Sequence, residues 1–123
     1  MLRPALSCFF AALALAAGPA RAEPGPDCKN PVTQLDMNIC ASEAYGEADA
    51  RLNRTYAKLV KALEPDRIET LRAAQRAWVT FRERECAFAG SEVGGGSMQP
   101  MIISGCARTL TEQRVKDLEK HLR

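Results

Sequence analysis

Apolar residues recur at helical spacing in three stretches of the chain and alternate nowhere, which predicts helices and no sheet. In the first stretch Tyr45, Leu52, Tyr56, Leu59 and Leu63 recur, with Ala41 and Ala48 beside them. Thr33 with Asp36 fits a capping box at its start, Asp replacing the usual Glu. Gly46 is expected to loosen one turn. Glu64-Pro65-Asp66 ends this helix and begins the next, because proline cannot continue the ladder and Asp66 can cap a new helix. The second helix is expected over about 67–88, with Leu71, Ala74, Trp78, Phe81, Glu85 and Phe88 as one stripe. "AGSEVGGGS" (89–97) then reads as a flexible loop that cannot pack.

The third stretch runs from Met98 to Leu122, with Ile103, Ala107, Leu110, Val115, Leu118 and Leu122 at its apolar positions. Thr109 with Glu112 can restart a helix after Gly105, so one helix or two remain open. There is no internal repeat. The expected fold is all-α: a small antiparallel bundle, made of a long helical hairpin and a third helical segment.

Residues 1–22 stand apart. Arg3 is followed by a nearly unbroken apolar run, Ala5 to Ala17, and Ala20-Arg21-Ala22 fits a small-x-small cleavage site. This pattern is that of a secretory signal peptide, leaving a domain over 23–123. The run is too short to span a bilayer. Cys8 lies inside it rather than after it, so no lipid anchor and no membrane attachment are expected once the leader is cleaved. Localisation is expected to be periplasmic or secreted.

Cleavage changes both charge and cysteine count. The net charge of +2 falls to zero on loss of Arg3 and Arg21, so no bulk field draws the domain to nucleic acid or anionic lipid. Cys28, Cys40, Cys86 and Cys106 remain, an even number in an exported chain, and read as two disulfides. Three pairings are permitted. Links from Cys28 and Cys40 to Cys86 or Cys106 are favoured, since they join distant segments. No C-x-x-C occurs and His121 stands alone in a charged tail, so neither a metal nor another cofactor is expected.

Folding the hairpin about Pro65 sets Asp49 level with Arg82, predicting a partly buried structural ion pair, bidentate where geometry allows. The same folding brings Tyr56 to Gln75, Leu52 to Trp78 and Tyr45 toward Glu85. Arg82 and Glu85 are expected to face inward, and Glu83 and Arg84 to face water. All four cysteines gather at the wide end of the hairpin.

Cys28, "LDMNIC" (35–40), Ala48-Asp49, Leu52 and Tyr56 resemble the first half of the LprI-like domain. "AQRAWVTFREREC" (74–86) resembles its central signature and "GGGSMQPMIISGCARTLTEQRVKDL" (94–118) its last segment. Arg82-Glu83 departs from the Arg-Asp common in that family. The resemblance spans almost the whole mature chain. It implies a periplasmic helical domain that inhibits lysozyme, and it identifies no catalytic residues.

An inhibitor must plug a cleft holding two carboxylates. Gly94, Gly95, Gly96 and Ser97 are the candidate plug, Ser97, Arg84 and Arg108 the candidate donors, and Tyr45 and Met98 the candidate apolar contacts. The competing reading is an envelope interaction module for another protein or a wall fragment. An enzyme is disfavoured, because no cysteine–histidine pair or nucleophilic serine motif is present, and Glu83 and Glu85 diverge on a helix.

Overall fold

The capping box forms. Thr33 Oγ1 accepts from the Asp36 N–H at 3.1 Å, and Asp36 Oδ2 accepts from the Thr33 N–H at 2.9 Å. This opens α1, Gln34–Ala62, in a computed structural model that describes residues 23–123. The expected leader, 1–22, lies outside the described residues. Gly46 does not interrupt α1, which runs unbroken for 29 residues.

α2, Pro65–Ser91, starts two residues before the expected position. Pro65 occupies the first helical position, where its missing N–H is an orphan in any case, so no side-chain cap is used and Asp66 instead places its charge in the first turn. α3, Gln99–Glu119, is one helix and closes in a 3₁₀ turn, Lys120–Leu122. Thr109 donates its hydroxyl to the Gly105 carbonyl at 3.0 Å, which continues the helix instead of restarting it.

α3 is the shared neighbour of the other two helices, while α1 and α2 make little direct backbone approach beyond their short turn. The hairpin is therefore not a pair packed face to face along its length. Small side chains explain the close fit of α3 to α1: Ala48 and Thr111 are wholly buried, and Thr55 and Ala107 nearly so. Leu52, Leu59, Val115 and Leu118 form the core, with Tyr56, Leu63, Leu71 and Trp78 packed against it.

The face that α2 buries differs from the expected stripe. Arg82, Cys86 and Gly90 are buried, whereas Phe81 and Phe88 are 51% and 71% exposed and Glu85 faces water. Gly90 sets this rotation. A Cβ there would lie 2.6 Å from Ile103 Cγ1, so only glycine lets α2 meet α3 so closely at that point.

The cysteines pair consecutively, Cys28–Cys40 and Cys86–Cys106, which corrects the favoured long-range pairing. The first bridge ties the extended arm before α1 to the second turn of that helix. The second ties the end of α2 to the start of α3. Local chain geometry already brings each pair together, so a link between distant segments is not needed.

Candidate functional site

At the wide end, residues 92–98 connect α2 to α3 through successive turns rather than as a flexible loop. Val93, Gly94 and Gly96 donate their N–H groups to the carbonyls of Gly90, Ser91 and Val93 at 3.3, 3.1 and 2.8 Å. Gly95 has φ +75°, a conformation that side chains resist. Gln99 clasps the segment from both sides: its Oε1 accepts from the Gly95 N–H at 3.3 Å, and its Nε2 donates to the Gly90 carbonyl at 3.3 Å.

Asn38 completes the anchoring from α1. Its Nδ2 donates to the Ser97 carbonyl at 2.9 Å, and its Oδ1 accepts from Gln34 Nε2 at 3.0 Å. The backbone of the segment is thus held by groups from all three helices, while Gly94, Gly95, Gly96, Ser97 and Met98 stay exposed. Val32, just before the cap of α1, and Leu35, in its first turn, are 78% and 66% exposed, and Met98 is 44% exposed.

The candidate donors divide. Arg84 is exposed and holds no ion pair among the described residues. Arg108 is engaged: its Nε donates to Glu112 Oε1 at 3.0 Å, and Arg51 reaches the same oxygen at 3.3 Å. The hydrogen bond from Arg108, aided by the charges of Arg108, Arg51 and Lys116, holds the Glu112 carboxyl below its usual range. Tyr45 is half-buried, its ring 5.3 Å from the Arg82 guanidinium carbon, so it belongs to the interior rather than to the exposed turn.

Arg82 joins the three helices. Its Nη1 donates to Asp49 Oδ1 on α1 at 3.0 Å and to Thr111 Oγ1 on α3 at 3.1 Å. One nitrogen thus serves two acceptors, in place of the two-nitrogen fork expected with Asp49. Trp78 lies between two cations, with Arg82 at 4.8 Å and Arg114 at 5.8 Å from its ring centre, and Arg114 also donates to Gln75 Oε1 at 3.1 Å. Tyr56 and Gln75 line one groove on the flank of α2, as the hairpin folding anticipates.

Sequence reasoning missed Asn38, Gln99, Thr111 and Gly90. Thr111 carried a usable signal, since it falls midway between Ala107 and Val115 on one helical face. Asn38 carried none, because its partner is 59 residues away. Among the described residues there is no group of three or more His, Cys, Asp or Glu able to hold a metal, and no helix is long and apolar enough to cross a membrane.

The family model described as "Lysozyme inhibitor LprI" matches residues 28–118. An uncharacterized protein of Rhizobium meliloti strain 1021, R02472, is 41% identical over 131 aligned positions, covering 95% of this chain and 91% of its own length. The uncharacterized protein YecT of Escherichia coli K12 is 33% identical over 76 positions, covering 49% of this chain and 47% of its own. No solved structure matches the chain.

Proposed function

The chain belongs to the LprI lysozyme-inhibitor family, and from that premise we propose that it is an exported binding protein that blocks a lysozyme cleft with its wide end. The observation that carries this reading is the immobilised 94–97 turn, clasped by Asn38 and Gln99. A turn already fixed in shape loses little conformational entropy on insertion, so more of its contact energy reaches affinity. Gly94–Gly96 is narrow enough to enter a cleft. The Ser97 hydroxyl and the Arg84 guanidinium offer donors to the two catalytic carboxylates, one protonated and one ionised. Val32, Leu35 and Met98 supply apolar contact around the turn. Arg108, committed to Glu112, contributes less. The leader at 1–22 delivers the domain to the periplasm or beyond, and the protein binds without catalysing a reaction.

The test uses oxidised 23–123 added to lysozymes of several classes lysing bacterial cells. Lysis is expected to fall to a plateau at stoichiometric inhibitor with at least one class. Undiminished lysis by every class at large molar excess would overturn the proposal. Shortening Gly94–Gly96 is expected to weaken inhibition while the domain stays folded, at a lower melting temperature because the hydrogen bonds of the turn are lost. The second reading, an envelope module with a different partner, is favoured by Phe81 and Phe88, which present an aromatic stripe on the outer side of α2. It would be adopted if lysis is unaffected and Phe81→Ser with Phe88→Ser abolishes capture of a periplasmic protein.

A further inference from the structure

A second concavity lies at the other end of the bundle, where the α1–α2 turn meets the end of α3. Its volume is about 280 Å³, and Leu59, Leu63, Leu71 and Leu118 form its walls. Arg67, Arg114 and His121 also line it, and no carboxylate does. None of these three basic residues holds an ion pair among the described residues; Arg114 has the Gln75 amide oxygen and the Trp78 ring. Arg114 also feels the Asp117 carboxylate on its own helix, so of the two guanidiniums Arg67 is the one with no charged partner among the described residues; apolar walls beside it match a ligand with an apolar tail and an anionic head.

We propose that this cleft binds a single-chain anionic amphiphile, its tail against the four leucines and its head on Arg67 and Arg114. Leu59 and Leu118 are buried and form the floor, so the apolar surface a tail would take from water is that of the half-buried Leu63 and Leu71, while the guanidiniums give the head charge-assisted hydrogen bonds. The cleft is open to solvent and of modest volume, about 280 Å³, which suits one short alkyl chain. An ester or sugar head would leave Arg67 without a counter-charge. The site is independent of the 94–97 turn.

Trp78 makes the proposal measurable. It is the sole tryptophan, and Arg114 lies over its ring, so an anion that draws Arg114 toward the cleft alters its fluorescence. Oxidised 23–123 would be titrated with decanoate and with monodecyl phosphate below their micelle concentrations. Acetate, inorganic phosphate and decyl glucoside serve as controls, with calorimetry in parallel. One saturating event per chain is expected for at least one of the two anionic amphiphiles, and the preferred one identifies the head as carboxylate or phosphate. Arg67→Glu, an exposed change, is expected to weaken binding about tenfold with no shift in melting temperature. Ala74→Leu, which narrows the cleft, is expected to weaken it as well. Equal binding of decyl glucoside, saturation by inorganic phosphate alone at the same concentration, no saturable signal in either method, or indifference to both substitutions would each overturn the proposal. Lysozyme inhibition measured with and without decanoate keeps this site's failure distinguishable from that of the inhibitor reading.

Discussion

Replacing Arg82 by alanine removes one guanidinium from four partners at once. Thr111 is wholly buried, so its hydroxyl loses its donor with no water to replace it. That loss alone costs about 1–3 kcal/mol. The Asp49 side chain keeps 37% of its surface exposed, so its carboxylate falls back on solvent and adds less than a fully stranded charge would. The Tyr45 and Trp78 rings lose a cation over their faces, and the space left by a nearly buried side chain adds a packing cost. These contributions overlap, and about 3 kcal/mol is the expected whole, near the lower end of the range for breaking a buried pair. For a domain of this size each kcal/mol moves the melting temperature by roughly 4–8 °C, so a fall of more than about 10 °C is expected. Arg84→Ala, at an exposed site, should change stability by less than about 0.5 kcal/mol. Circular dichroism melts of the oxidised variants at 222 nm provide the comparison. Equal shifts for the two alanines would refute the role given to Arg82.

Glycine substitutions should separate in sign. Gly46→Ala, with no atom within 4 Å of the new Cβ, should raise stability by about 0.5–1 kcal/mol in a melt. Gly90→Ala should lower it by about 1 kcal/mol, because the clash with the stiff Ile103 side chain outweighs the gain in helix propensity. The Thr33 N–H, and after it the Thr33 hydroxyl, holds Asp36 below its ordinary value of 3.8. A depressed carboxyl stabilises the fold above 3.8 and loses that effect as pH falls through the folded-state value. The melting-temperature gap between wild type and Asp36→Ala should therefore be full at pH 7 and shrink below pH 3.8; a gap constant with pH would contradict this. Replacing Cys86 and Cys106 by serine should cost about 3 kcal/mol, the loop entropy of a 20-residue separation. Serines at Cys28 and Cys40 should cost less, because the arm before α1 can detach while the three helices stay folded.

The helices were legible wherever short-range chemistry decides. Thr33–Asp36 and Pro65 marked helix starts because caps and proline act within one turn. The Asp49–Arg82 contact was legible as well, because a short turn makes two helices share a level even when a third helix fills much of the space between them. The face of α2 was not. Phe81 and Phe88 outweigh Arg82 and Cys86 in hydrophobicity, yet the tertiary demands of Gly90, the Cys86–Cys106 bridge and the Arg82 network turn the aromatics outward. In the candidate site, the residues of the turn were visible in the glycine run. The two side chains that immobilise it were hidden: Asn38 because its partner is remote in sequence, and Gln99 because it reads as an ordinary first-turn residue of α3.

Consecutive pairing of the cysteines bears on how such a chain matures. With Cys8 gone in the expected leader, oxidation that follows the chain from its N-terminus offers Cys40 only Cys28, and the first bridge closes before Cys86 emerges. Cys106 then completes the second bridge with the only thiol left to it. The native connectivity is thus the one that arrival order produces, and a simple oxidant suffices where crossed bridges would call for a shuffling catalyst.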